Sequence, residues 1–130
     1  MTKEQYISYW IDTAQNDWIT VESLLNTKRY LHCLFWAHLT LEKLAKALWV
    51  KNHQDNIPPK VHNVVWLLEE SQVEMPAESI VFLEVFNRFQ LSSRYPDYLR
   101  KMDKLCTQDF TTEQLQKVKE IRICLLEMLQ

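Results

Sequence analysis

His38-Leu-Thr-Leu-Glu-Lys-Leu-Ala-Lys-Ala-Leu48 lies inside a longer apolar run from Tyr30 to Val50. Its apolar residues Leu41, Leu44, Ala45 and Leu48 recur at spacings of three and four, which puts them on one face of a helix. Ala, Leu, Glu and Lys are strong helix formers, and they fill this window almost completely. Glu42 precedes Lys46 by four residues, the favourable order for a surface ion pair. Composition therefore reads the two lysines, Lys43 and Lys46, as surface charges beside a buried stripe.

Outward from this helix, the 130-residue chain is long enough to bury its own core and reads as one domain over residues 1–130. It is 47% hydrophobic with a net charge of −2, so neither a disordered chain nor a chain-wide attraction to nucleic acid or membrane is expected. It contains no glycine, which excludes glycine-rich phosphate loops and Rossmann turns. Cys33, Cys106 and Cys124 are odd in number and have no short pair spacing, so they read as free thiols rather than a disulfide frame or zinc site. No signal peptide is visible, and no apolar run reaches the roughly eighteen residues of a membrane span. A soluble cytoplasmic protein is expected.

Thr2-Lys-Glu-Gln5 is a capping box. After it Tyr6, Tyr9, Trp10, Thr13, Ala14, Asp17, Trp18, Val21, Leu24 and Leu25 trace one helical face. Asp17 interrupts that stripe, either as an edge residue or as a carboxylate facing a site between the first two helices. The short break Asn26-Thr-Lys-Arg-Tyr30 implies an antiparallel hairpin with a second helix from Tyr30 to about His53. Pro58-Pro59 closes the hairpin. A third helix is expected over Val61–Ser71 and a fourth over Ala77–Leu91, with Pro76 at its start. Tyr95–Phe110 reads as a long ordered loop with at most one helical turn, and Thr111 or Thr112 as the cap of the last helix. The fold class is all-α: an up-and-down bundle of four to five helices with a long N-terminal hairpin.

Chemistry is sparser. Cys33 and His32 are adjacent and so point apart on a helix, which makes a structural thiol the better reading. His38 and Glu42 have acceptable metal-ligand spacing, but two ligands do not make a site, and a packed or hydrogen-bonded His38 is expected. No cofactor is indicated beyond a nucleotide ligand of unknown identity. Lys43 and Lys46, with Arg88 and Arg94, offer charge for phosphate, and Tyr95 and Tyr98 offer rings that can stack on a base. The alternative is a solvated surface whose cations pair with Asp97 and Asp103.

Several segments together resemble the HEPN domain (higher eukaryote and prokaryote nucleotide-binding). They are Trp10–Asp17, Arg29-Tyr30, Phe35–Ala47 with its Glu42-Lys43-x-x-Lys46-Ala core, His62-Asn63 and Arg94-Tyr-Pro-Asp97. The resemblance is collinear and spans nearly the whole chain. It implies a homodimer that works with a minimal nucleotidyltransferase, often as toxin and antitoxin, and binding of a nucleotide or RNA. It adds Glu42, His62 and Asp97 to the binding candidates Lys43, Lys46, Arg88, Arg94, Tyr95 and Tyr98. Some relatives are metal-independent ribonucleases that use an Arg followed after four to six residues by a His. Here Arg88, Arg94 and Arg100 precede no His. A tyrosine, with an ordinary pKa near 10, is a poor general base in its place. A non-catalytic binding module is thus expected, with a divergent ribonuclease or a dimeric scaffold as alternatives. In relatives with a Tyr after the Arg, that Tyr can accept a nucleotidyl group from the partner; Tyr95 and Tyr98 are the candidates here.

Overall fold

The computed structural model describes all 130 residues. Six α-helices follow in order: α1 (Lys3–Asn26), α2 (Tyr30–Asn52), α3 (Val64–Glu70), α4 (Ala77–Phe86), α5 (Pro96–Leu105) and α6 (Gln108–Met128). A single 3-10 turn, Asn87–Phe89, continues α4. There is no strand. The expected all-α bundle with an N-terminal hairpin is what forms, and α1 lies along α2 for most of its length.

The capping box closes the start of α1 as the sequence implies: Thr2 Oγ1 accepts from the Gln5 amide, and Gln5 Oε1 accepts from the Thr2 amide. The same, open end of the hairpin is held by Lys3. Its ammonium donates to the carbonyls of Val50 and His53, both at 2.7 Å, and to Asn56 Oδ1 at 2.8 Å. A cation at the end of α2 thereby satisfies carbonyls that lack a helical partner.

Helix α2 is central. It packs against α1, α3 and α6, and it meets the 3-10 turn and α5 at its margins. Fourteen of its 23 residues are buried, including Thr40, Glu42 and Lys46. The amphipathic reading of this helix needs correcting accordingly: neighbours cover nearly all of its circumference, and the Glu42–Lys46 pair is interior rather than on the surface. Around it the core is continuous, with Leu34, Leu41, Leu44 and Leu48 meeting Leu67, Leu83, Phe86, Phe89, Val118 and Leu125. Tyr9, placed on the inner face of α1 by periodicity, is exposed.

Several boundaries differ from the sequence reading, among them the end of α4, which stops at Phe86 and not at Leu91. Segment 95–110 is not a loop: Pro96 occupies the first turn of α5, a position suited to its missing N–H. Thr107 rather than Thr111 or Thr112 caps α6, its side chain accepting from the Phe110 amide. Thr111 is instead fully buried. Helix α3 begins at Val64, because Asn63 accepts from the Trp66 amide and caps it there. Replacing Lys3 by Ala should lower stability by about 1.5–3 kcal/mol, the range for hydrogen bonds from a charged group. Urea unfolding of the purified chain measures it.

Candidate functional site

The residues singled out by sequence fall into two groups. The first is a polar cluster inside the bundle, built on Glu42. This carboxylate is only 4% exposed. Lys46 Nζ donates to its Oε2 at 3.1 Å from the next turn of α2. His62, on the extended segment before α3, brings Nδ1 within 3.0 and 3.1 Å of the two carboxylate oxygens. A carboxylate only accepts, so Nδ1 carries the proton, and Nε2 lies on a ring that is 54% exposed. Lys46 also stands 5.6 Å from the Trp10 ring on α1. Helices α1 and α2 and the α3 approach are therefore joined through one buried anion.

His38 completes this cluster. It is buried, with Nε2 3.0 Å from Asn87 Oδ1. The Asn87 orientation is set independently: Oδ1 accepts from the Val64 amide, and Nδ2 donates to Asn63 Oδ1, the atom that caps α3. Nε2 of His38 is thus the donor and Nδ1 bears the lone pair. Nδ1 has no hydrogen-bond partner and lies 4.0 Å from Glu42 Oε1. Burial holds the His38 pKa below its ordinary value of 6.5, overriding the opposing influences of Asn87 and Glu42, and nearby His62 pushes the same way. The expected hydrogen-bonded His38 is what the structure contains.

Asp17 and Lys43 form a separate bridge between α1 and α2, with Nζ 2.7 Å from Oδ2. The buried carboxylate on the α1 stripe thus faces a cation of the neighbouring helix. Lys43 and Lys46 are both committed to acids of the chain itself.

The second group sits around the start of α5. Arg94 lies over the Tyr98 ring at 4.8 Å, and the Tyr98 hydroxyl donates to the Arg88 carbonyl at 2.8 Å. The Arg88 guanidinium is 5.3 Å from the Phe89 ring and 5.6 Å from the Phe110 ring, and its Nε is buried without a partner. Asp97 is exposed and 3.7 Å from Arg100. Tyr95 is 82% exposed, and its phenol makes no hydrogen bond within the chain. Lys43 and Lys46, taken with the Arg94-Tyr-Pro-Asp97 motif of the family resemblance, imply one anion-binding groove. The two groups are linked through His38, by Asn87 and the neighbouring Arg88 on one side and by the Phe86 and Phe89 rings, the latter under Arg88, on the other.

Asn63 and Asn87 are not among the sequence candidates. Asn63 has two sequence signals: it belongs to the His62-Asn63 segment of the resemblance, and it precedes an apolar run whose helix it can cap. Helical spacing puts Asn87 on the inward side of the fourth helix with Leu83 and Phe86, but its partners His38 and Val64 are remote in sequence and carry no local signal. Two of the three thiols are buried, which raises Cys33 to about 12 and Cys106 to about 11, as expected of structural cysteines. No cluster of His, Cys, Asp and Glu is arranged to hold a metal ion. No helix is long and apolar enough to cross a membrane.

Fold and site together define a helical-bundle domain with a buried acid–base cluster under one end of a long helical hairpin. The chain belongs to the HEPN domain family, whose model matches residues 7–128. Among solved structures it is similar to the crystal structure of TT1696 from Thermus thermophilus. The TM-score is 0.76 at 20% identity, covering 93% of this chain and 96% of that one. That likeness is one of fold. No match is found among curated proteins.

Two outcomes follow from the buried cluster. Glu42→Ala should destabilise the fold by about 3–5 kcal/mol, because it leaves the Lys46 charge interior and unpaired. Glu42→Leu with Lys46→Met should recover much of that loss, as read from chemical denaturation. For His38 the folded pKa lies below the unfolded value, so the unfolded chain binds more protons as pH falls. Its contribution is complete above about pH 6.5 and is lost as pH drops through the folded value. Urea midpoints between pH 7.5 and pH 5 should decline in the wild type, with a shallower slope in His38→Gln.

Proposed function

We propose that residues 1–130 act as one non-catalytic unit that binds a nucleotide or a protein partner. In this reading the unit works as a cytoplasmic homodimer with a minimal nucleotidyltransferase, in a toxin–antitoxin-type pair. Family membership and the absence of a His after Arg88 or Arg94 support this reading. The observation that carries it is the exposure of Tyr95, which leads into α5 between Arg94 and Pro96 with a free phenol. Tyr98, the other candidate, uses its hydroxyl on the Arg88 carbonyl. A free, solvated phenol flanked by Arg94 and Asp97 is suited to recognition by another protein. It is also suited to nucleophilic attack on the α-phosphorus of a nucleoside triphosphate held by that protein. In that step the phenol loses its proton, an O–P bond forms and pyrophosphate leaves. The packing of Arg88 against two phenyl rings supports a structural rather than a catalytic guanidinium.

Co-expression with a minimal nucleotidyltransferase tests the reading. A stable complex is expected on size exclusion. With nucleoside triphosphate, intact-mass spectrometry should show a nucleotidyl adduct on the wild type and on Tyr98→Phe, and none on Tyr95→Phe. Absence of a complex would count against the partner, and RNA cleavage by the pure chain that disappears in Arg88→Ala or Arg94→Ala would overturn the non-catalytic reading.

A further inference from the structure

The cations that sequence assigns to phosphate binding on α2 are occupied. Lys43 pairs with Asp17 and Lys46 with Glu42. A nucleotide would therefore need charge from elsewhere, and the other end of α2 holds it. A cleft of about 470 Å³ lies between the first turns of α2 and α5, with Leu31, Phe35, Leu91 and Leu99 as its apolar walls. A second cleft of about 390 Å³ adjoins it and shares Leu31, His32 and Asp103. The walls of the second include Lys28 and Arg29, neither of which has an ion-pair partner in the chain. Clefts of this size suit small ligands when apolar walls are combined with a few placed polar groups.

The joined clefts are graded along their length. One end is apolar and carries an aromatic ring, Phe35, with Ser92 and Arg100 at its edge. Asp103 stands on the shared wall and is also free of any ion pair. The far end is cationic. Arg29, the residue preceding the first turn of α2, makes no side-chain capping bond, and that turn contains no acid. Its open amides add partial positive charge at the cationic end. The order apolar ring, carboxylate, paired cations matches base, sugar hydroxyls, phosphate. An aromatic wall stacks on any base, a carboxylate accepts from sugar hydroxyls, and Lys and Arg bind phosphate oxygens by charge-assisted bonds.

We propose that these joined clefts bind a nucleoside 5′-phosphate: the base lies against Phe35, Leu91 and Leu99, the sugar at Asp103, and the phosphate at Lys28 and Arg29. This rests on the nucleotide half of the function proposed above and moves it to a site at the opposite end of α2 from Lys46. Base selectivity is low, because the base end is set chiefly by stacking and apolar contact.

Calorimetric titration of the full chain with AMP, UMP, adenosine and inorganic phosphate tests the assignment. AMP and UMP should both bind, each at least tenfold tighter than adenosine or inorganic phosphate. Lys28→Ala with Arg29→Ala should weaken AMP at least tenfold while leaving the melting temperature near that of the wild type, since both side chains are exposed. Phe35→Ala should weaken AMP and leave inorganic phosphate unchanged. Inorganic phosphate binding as tightly as AMP would mean an adventitious ion only and would overturn the proposal. So would the absence of heat with millimolar AMP and UMP, or unchanged AMP affinity in the double variant. Capture of the nucleotidyltransferase separates the two ideas. If the Lys28/Arg29 variant and the wild type form the complex equally while neither binds AMP, the cleft assignment fails and the partner reading stands.

Discussion

A carboxylate and an ammonium one turn apart are interior in this fold, and the arrangement around them follows from that constraint. Taking two charges out of water costs several kcal/mol each, and their attraction offsets this only when the remaining lone pairs are also satisfied. Glu42 meets the condition by accepting from Lys46 and from His62. The second donor comes from outside α2, so the segment approaching α3 must pass over Glu42. Asn63 follows immediately and caps α3, and Asn87 bonds both Asn63 and His38. One buried anion thereby sets where α3 starts and where the 3-10 turn after α4 comes to rest.

The same bonds explain why His38 is neutral and has a defined tautomer. Asn87 Oδ1 already receives the Val64 amide, so it faces His38 as an acceptor and requires the proton on Nε2. The lone pair on Nδ1 then faces Glu42 across 4.0 Å, too far for a hydrogen bond. Protonating His38 would supply a donor toward Glu42, but it would place a third charge beside a pair that already balances. Desolvation wins that contest. His62 differs because its ring is half in water, so orientation by Glu42 does not require it to be buried.

Much of this is legible in the sequence, for identifiable reasons. The hairpin, the capping box and the bundle rest on local periodicity and propensity, which act within a few residues. The collinear motifs of the family are readable for the same reason. Burial of Lys46 is not: spacing shows which residues share a face, and it does not show how many neighbours wrap a helix. Helix α5 does carry a helical pattern, Tyr98, Leu99, Met102 and Leu105 after Pro96, and the loop expectation gives the proline and the three basic residues more weight than that spacing; only Met102 is buried in it. The partners of Asn87 are beyond sequence reasoning, since its contacts to Asn63 and His38 span 24 and 49 residues.

The separation of charge in the molecule bears on what it can recognise. A cation neutralised by a buried neighbour has little attraction left for a ligand, because extracting it would strand the partner's charge in the interior. Lys43 and Lys46 are in that position. The exposed cations Lys28, Arg94, Arg100, Lys101 and Lys104 are under no such constraint, and none is paired with a buried acid. They are distributed over the α1–α2 turn and the start and length of α5, the elements that border the joined clefts and Tyr95. Recognition therefore disturbs the fold least at this end, whereas the Glu42 cluster is held together by the very contacts a ligand would have to displace. The motif residues on α2 thus hold buried contacts of the fold, and the cations free to meet a ligand lie on the surface that the fold leaves open.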